Sequence, residues 1–463
     1  MCSADGRLVL LYNGELYNFK EMRADLEAKG HFFKTSSDSE VLVEACAIWG
    51  IDETVRRCIG MFAFALWDCE SRYLTLVRDR IGIKPLYWAQ FNGTFLFGSE
   101  IKALRAHPSF RPCINTNVIA PFLRYNYIPA PQTIYRNVHK LEPGCLLKVR
   151  GDQEPKVIRY WGLNETQSED FTGGALSQDS DPLVGLETVL SDAIVRRMVG
   201  DVPIGAFLSS GIDSSAIVAI MQRNSPRPIK TFTIGYEEEG RDESRFASRI
   251  ARYIGTEHHT LLVKPQDAAN ILTQIPYWYD EPFADTSQIP TCILSHFARE
   301  KVTVALSGDG GDELFGGYKR YLRAANAQAL SNKMPQLVRA GLSRTLAVLP
   351  PLLTRLPLVH PKSASRFARR FHQLARGLAL EQADPYDRQL WRRWEDPALL
   401  MQNSLIHQIA QRQTFESYAP ASNLRSIVAK MQYADLLSYL PENNLVKVDR
   451  ASMGARLEVR VPL

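Results

Sequence analysis

Apolar residues along the first 150 positions recur with two different periods, and the interplay of the two predicts a strand-rich half with a few helices. Residues 8–12 read as a strand, and Asn13-Gly14-Glu15 as a turn-forming break after it. Residues 21–29 carry helical spacing and end at Gly30, a favourable C-cap. Residues 31–35 return as a strand, and Ser37-Asp38-Ser39-Glu40 caps a helix over 41–49. Short alternating or apolar runs at 62–67, 73–77, 86–89 and 94–98 read as further strands. The fold class expected of residues 1–150 is therefore α+β. From 151 to 182 the composition is polar, as in a linker, and the domain boundary is placed there.

The pattern changes beyond it. A helix over 183–198 leads into a short apolar strand. Strands at 231–236, 257–262 and 302–306 then alternate with helices at 243–254, closed by Gly255, and at 289–299. Such alternation predicts an α/β doubly wound parallel sheet for residues 183–463. Residues 319–400 are amphipathic helical pieces broken by Pro350, Pro351 and Pro357, and read as scaffold. A last helix over 431–440 is expected to end at Pro441.

The chemistry concentrates at the start of that second half. The run Val202-Pro203-Ile204-Gly205-Ala206-Phe207-Leu208 is a buried strand, Ser209-Ser210-Gly211-Ile212-Asp213-Ser214-Ser215 a small-residue loop, and the following run a helix. A strand, a loop and a helix N-terminus together make an anion site, with outward N–H groups and a favourable dipole. Gly211 lets backbone approach closely, and Ser209, Ser214 and Ser215 add hydroxyl donors. No Lys follows the glycine at Walker-loop spacing. A carboxylate among phosphate donors repels phosphate unless a cation lies between them, so Asp213 implies Mg²⁺. Taken alone, the same residues also suit an ordinary Ser/Asp-capped helix. A second loop, Ser307-Gly308-Asp309-Gly310-Gly311-Asp312-Glu313, gathers three carboxylates that repel one another without a metal or cationic partner.

Bulk properties add little. The chain has 463 residues, a net charge of +5 spread rather than blocked, and room for two or three cores. The densest basic run, 366–376, has helical apolar spacing and reads as a solvated helix face, so nucleic acid is not an expected partner. No apolar run is long enough for a bilayer span, and no membrane partner is expected. Seven cysteines without a C-x-x-C pair point to small core residues and a reducing, cytoplasmic setting. His258 and His259 are adjacent on a strand and so face opposite ways, which argues against a shared metal.

The Ser209–Ser215 loop resembles the pyrophosphate loop of N-type ATP pyrophosphatases. With Leu306 to Tyr318, Lys447-Val448-Asp449-Arg450-Ala451-Ser452-Met453 and Leu457-Glu458-Val459-Arg460-Val461-Pro462-Leu463, the resemblance narrows to the glutamine-hydrolysing asparagine synthetases. Asn13-Gly14-Glu15-Leu16-Tyr17-Asn18, Ser37-Asp38, Arg78 to Tyr87 and Gly98-Ser99-Glu100-Ile101-Lys102 resemble that family's glutaminase half. The resemblance implies an N-terminal-nucleophile-type sandwich followed by an ATP-pyrophosphatase domain with helical additions, ATP and Mg²⁺ as cofactors, and aspartate, glutamine or ammonia as substrates. It leaves room for a homodimer. Leu208, Ser209, Ser210, Gly211, Asp213, Ser214, Ser215, Ile234, Ser307 and Gly308 would hold ATP and its pyrophosphate, and Asp213 with Asp312 the metal. Asp309 stands at the acidic position used in forming and consuming the acyl-adenylate, and Glu313 would support either that role or the metal. Arg450 aligns with the catalytic cation, with Lys447 close behind. Asn13, Gly14, Glu15 and Asp38 would hold glutamine; the two carboxylates suit its α-ammonium, and Asn13 with the Gly14 N–H suits an oxyanion.

Three departures qualify the resemblance. Ser210 stands where Gly is usual. Cys2 is followed by residues matching the polar turn just upstream of the Asn-Gly-Glu strand, so its match to the family's N-terminal nucleophile is read as coincidental. The first half is thus expected to be incomplete, with an open strand edge, and the last motif shortened. The expected reaction is amidation of aspartate through β-aspartyl-AMP, with ammonia alone as nitrogen donor in this chain. The rival readings are amidation of another carboxylate, such as a surface-polysaccharide sugar or a lactam-forming acid, and a non-catalytic fragment.

Overall fold

The computed structural model describes residues 1–151, 153–163, 181–237, 242–335, 424 and 426–463. The basic run at 366–376, the prolines at 350, 351 and 357, and most of the expected linker lie outside the described residues. Contacts divide the chain into two compact units. One comprises Met1–Phe122, Asn126–Gly310 and Ser438–Leu463, and the other Leu123–Tyr125 and Gly311–Leu437.

The first unit begins with eight strands: β1 (Leu8–Leu16), β2 (Gly60–Asp68), β3 (Tyr73–Arg78), β4 (Tyr87–Phe91), β5 (Thr94–Gly98), β6 (Val138–Lys140), β7 (Cys145–Val149) and β8 (Lys156–Arg159). They form an antiparallel sheet of order β1-β2-β3-β7-β8 and a smaller one of order β5-β4-β6. Side-chain alternation along β2 explains the layering. Phe62, Phe64 and Leu66 pack with Val41, Leu42 and Leu26 of the helices Asp38–Trp49 and Phe19–Glu27. Ala63 and Ala65 face the opposite way, into a core with Leu86, Leu141, Trp88 and Phe97. β2 is thus buried on both faces, which is why its sequence is apolar without interruption. β1 is an edge strand, and Leu11 on it is 66% exposed.

Five further strands, β9 (Ile204–Phe207), β10 (Lys230–Tyr236), β11 (Glu257–Val263), β12 (Val304–Leu306) and β13 (Glu458–Arg460), make an all-parallel sheet of order β11-β10-β9-β12-β13. One face packs Ala206, Leu208 and Leu306 against Ile217, Val218, Met221 and Ala247. The other packs Phe207, Phe232 and Ala305 against Ala298, Val448 and Leu457. Helices on both faces make this the doubly wound sheet expected from the strand–helix alternation. Strand order reverses between β9 and β12, and clefts for ligands open beyond the carboxyl ends of strands at such a point.

The second unit contains helices Gly311–Phe315, Lys319–Asn332 and Ile427–Ala434. Tyr321, Ala324, Ile427 and Met431 form its core. The buried Asp435 accepts from Arg320 (2.7 Å) and Tyr321.

Three local expectations are corrected. Asn13-Gly14-Glu15 is not a turn: β1 continues to Leu16, pairing Asn13 with Ala63, Gly14 with Phe62 and Glu15 with Met61. A Cβ at Gly14 would lie 2.7 Å from the Phe62 Cα, so this glycine serves close strand approach rather than chain reversal. Residues 31–35 form no strand. The Glu40 carboxylate takes the Lys34 and Thr35 N–H groups (2.8 and 2.7 Å), leaving them none for a ladder, and the His31 N–H closes the preceding helix on Leu26 O. Pro441 ends no helix either. It lies inside a π-helical stretch, Asp435–Asn444, whose wider turn accommodates a residue without an N–H, and the helix Leu445–Gly454 follows directly.

The Gly14 contact yields a first prediction. Gly14→Ala should destabilise the protein by about 1–3 kcal/mol through backbone overpacking, read as a lower urea midpoint at unchanged slope; an unchanged midpoint would show that the β1–β2 approach is relaxed.

Candidate active site

At the switch point, β9 delivers the loop at 208–215 and β12 the loop at 307–310. Gly211 begins the helix Ile212–Arg223 in an extended conformation. Ser209 and Ser214 share a hydroxyl–hydroxyl bond (2.8 Å), the Ser209 N–H donates to Ser214 Oγ (3.1 Å), the Gly211 N–H donates to Ser209 Oγ (3.0 Å), and Ser215 Oγ donates to Gly211 O (2.7 Å). The hydroxyls therefore shape the loop around the first N–H groups of the helix, which have no helical acceptor. Ser210 is not among the residues of positive φ, so it carries no strain at the position where glycine is usual, and its hydroxyl donates to Glu243 (2.9 Å). Gly308 brings the second loop against the first: a Cβ there would lie 3.0 Å from the Ser214 N. Thr233 anchors the Leu208 carbonyl from β10, the strand that carries Ile234.

Asp309 and Lys447 come together in this cleft. One Asp309 oxygen accepts from Ser307 Oγ (2.5 Å), and the other lies 3.5 Å from Lys447 Nζ. Lys447 comes from the first turn of the helix Leu445–Gly454. Burial alone would lower its pKa, but the carboxylates of Asp309 and Asp285 more than reverse this, so it remains an ammonium. Asp285 is fixed by the Ser287 N–H (2.7 Å) and by Asn443 Nδ2 (2.8 Å). Asp285 and Asn443 were not singled out in the sequence; the dense Asp280-Glu281-Pro282-Phe283-Ala284-Asp285 run was the available signal.

Partial burial raises the Asp213 carboxyl above its ordinary range. A carboxylate so placed fits a metal ion arriving with phosphate. Among the described residues no three His, Cys, Asp or Glu side chains gather into a metal site. Asp312 and Glu313 belong to the second unit: the Asp312 carboxylate packs against Gly317, and Glu313 accepts from Tyr318 Oη (2.7 Å).

Arg450 does not join Lys447 at Asp309. Its guanidinium is buried and donates to Ser99 O (2.9 Å) and Glu100 Oε1 (3.1 Å), both from the first 150 residues. The glutamine-binding candidates sit at the far end of β1. Asn13 Nδ2 donates to Ser99 Oγ (3.1 Å), and Asp38 Oδ2 accepts from Tyr12 Oη and the Leu16 N–H (3.0 Å each). Glu15 lies 3.3 Å from Arg460. Cys2 bridges Val9, four residues before Asn13, or about 13 Å away along the strand. His258 bonds Thr231 and His259 bonds Glu257, both in structural contacts. All seven cysteines are free, and no described helix is long and apolar enough to cross a membrane.

Residues 185–463 match the asparagine synthase family, and residues 1–161 a glutamine amidotransferase domain. The chain belongs to the asparagine synthase family. It is similar to a putative glutamine-hydrolysing asparagine synthetase of Mycobacterium bovis, at 34% identity over 99% of this chain and 68% of that protein. It is likewise similar to asparagine synthetase 1 of Bacillus subtilis, at 32% identity over 98% and 67%. A solved glutamine phosphoribosylpyrophosphate amidotransferase from B. subtilis aligns over 58% of this chain and 64% of its own, at 16% identity and a TM-score of 0.27, too low to bear on the fold. Family membership makes this asparagine synthase-type chain a carbon–nitrogen ligase that performs ATP-dependent amidation, as the motif resemblance implied.

Glu15 gives the site a pH signature. Desolvation, opposed by Arg460 and aided by Asp38, Glu458 and Asp201, raises its carboxyl to about 7. A pKa raised on folding favours the folded state at low pH, and that contribution is lost as pH rises through about 7. Stability should therefore fall from about pH 5 to about pH 8 in the parent protein and fall less in Glu15→Gln; equal pH slopes in urea titrations would exclude Glu15 as the source.

Proposed function

We propose that this chain converts aspartate to asparagine through β-aspartyl-AMP, with residues 183–463 performing the synthetase chemistry. The observation that carries the reading is the Lys447–Asp309 pair beside the hydroxyl-lined loop at the switch point. Ser209, Ser210, Gly211, Ser214 and Ser215 hold pyrophosphate at the helix N-terminus, while Leu208, Ile234, Ser307 and Gly308 receive the nucleoside. Asp213 would hold Mg²⁺, which neutralises phosphate charge when bound. An oxygen of the aspartate β-carboxylate attacks the α-phosphorus, and pyrophosphate leaves with the electrons of the broken P–O bond. Lys447, kept cationic by its carboxylate neighbours, balances the charge that gathers on the α-phosphoryl oxygens. Ammonia then attacks the acyl carbon, AMP departs with the C–O electron pair, and Asp309 takes the proton released by nitrogen.

Ammonia is assigned as the nitrogen donor because Cys2 lies about 13 Å along β1 from Asn13. Residues 1–150 are read as a glutamine amidotransferase layer of N-terminal-nucleophile type, in which Asn13, Gly14, Glu15 and Asp38 contact glutamine. The seven free thiols fit a cytoplasmic setting.

The test is aspartate-dependent pyrophosphate release from Mg-ATP with ammonia or glutamine. Release is expected with ammonia, with Lys447→Met lowering kcat by about 10²–10³-fold, and Cys2→Ala leaving it unchanged. Glutamine-supported turnover that Cys2→Ala abolishes would overturn the ammonia assignment, and release with neither donor would overturn aspartate amidation.

A further inference from the structure

The helix Leu445–Gly454 holds two cations one turn apart that serve different ends of the first unit. Lys447 meets Asp309 at the parallel sheet. Arg450, three residues on, points into the junction between β5 and the helix Ile101–Arg105. Glu100 precedes that helix in an extended conformation and makes no side-chain cap, so its carboxylate is available to Arg450 (3.1 Å) and Lys102 (2.9 Å). The neighbouring Ser99 carbonyl takes the other arm of the guanidinium (2.9 Å), and the Ser99 hydroxyl accepts from the Asn13 amide (3.1 Å). Arg450 is 3% exposed, so breaking this fork would strand a buried charge. A lysine could not span both acceptors, because only the guanidinium offers a fixed fork of donors.

We propose that Arg450 is a positioning residue: it fixes Ser99, and through Ser99 the side-chain amide of Asn13, thereby tying the glutamine-binding end of the chain to the helix that carries Lys447. The proposal rests on reading Asn13 as part of the glutamine site. It assigns Arg450 a role different from the adenylyl-stabilising cation that its alignment implied, since both arms of its guanidinium are engaged away from Asp309. A shift of Lys447 when nucleotide and aspartate fill the cleft would carry Arg450 with it, because both sit on one rigid helix with about 1.5 Å of rise per residue. The state of the synthetase cleft is thereby felt at Asn13.

The test observes the Asn13 side-chain amide directly, in protein labelled with ¹⁵N-asparagine and with the resonance identified by its loss in Asn13→Asp. Arg450→Lys should move this resonance, and so should Ser99→Ala; in the Ser99→Ala background, Arg450→Lys should move it no further. Mg-ATP with aspartate should shift the Asn13 resonance in the parent protein and leave it still in Arg450→Lys. Glu100→Gln, which removes one charge from the fork, serves as the second variant should Arg450→Lys fail to fold. An Asn13 resonance indifferent to Arg450→Lys or to Glu100→Gln overturns the proposal, as does a nucleotide response that survives the loss of the fork. Calorimetry of Mg-ATP binding separates the two levels. If nucleotide does not bind, the proposed function falls, while the Arg450→Lys and Ser99→Ala comparison still decides the positioning role.

Discussion

Buried charge at the joint between the antiparallel layers and the parallel sheet is the constraint on which the rest of this structure depends. Lys84 pairs with Asp449 (3.1 Å), Lys140 with Glu281 and Glu442 (2.8 and 3.2 Å), and Arg450 with Glu100 (3.1 Å). In each pair one partner comes from the first 150 residues and the other from beyond residue 200. Glu100 keeps access to water, but Lys84, Asp449, Lys140, Glu281, Glu442 and Arg450 are buried; such groups are costly to desolvate, and removing the partner of one of them leaves it charged in the interior. The two halves of the first unit are therefore mutually required: neither can present this surface alone without exposing or stranding several charges.

That joint explains why the short helix Leu445–Gly454 carries so much of the chemistry. Its apolar residues enter two cores, Val448 beneath the sheet and Ala451 against Trp278 and Tyr279. Its polar residues have no solvent face to occupy, since Lys447, Asp449, Arg450 and Ser452 are all buried. Each must find a specific partner, and the partners lie in opposite directions. Lys447 completes the candidate adenylation cleft with Asp309 and Asp285, whereas Asp449 and Arg450 reach into the strand-rich half.

The cleft itself follows from topology. Strand order reverses between β9 and β12, the point at which ligand clefts open in such sheets, and Gly308 of the loop after Leu306 closely approaches Ser214 of the loop after Phe207. Partial burial at the edge of this cleft raises the Asp213 carboxyl above its ordinary range.

The parts of this protein governed by local patterning were legible in its sequence. Apolar periodicity placed the helices Asp38–Trp49 and Gln288–Arg299 and the parallel strands β9 to β12 within a few residues, and the Ser-Gly-Asp loop announced its place between a strand and a helix. Three motifs in order identified the family. Properties that depend on distant partners were not legible. Asn13-Gly14 has turn composition, yet pairing with β2 holds it extended. The run at 31–35 has strand composition, yet the Glu40 side chain takes its donors. Pro441 reads as a stop, yet a π-helical stretch absorbs it. The motif resemblance put Arg450 ahead of Lys447 as the cation of the cleft, yet packing sends Lys447 to Asp309 and Arg450 to Ser99. The sequence alone determined which hydroxyl, carboxylate and cationic groups stand in the strand–loop–helix motifs of the family, because residue type and local spacing set that. Only tertiary structure decided which cation meets Asp309 and which meets Ser99, because burial forces each charge onto whichever partner the fold brings within reach.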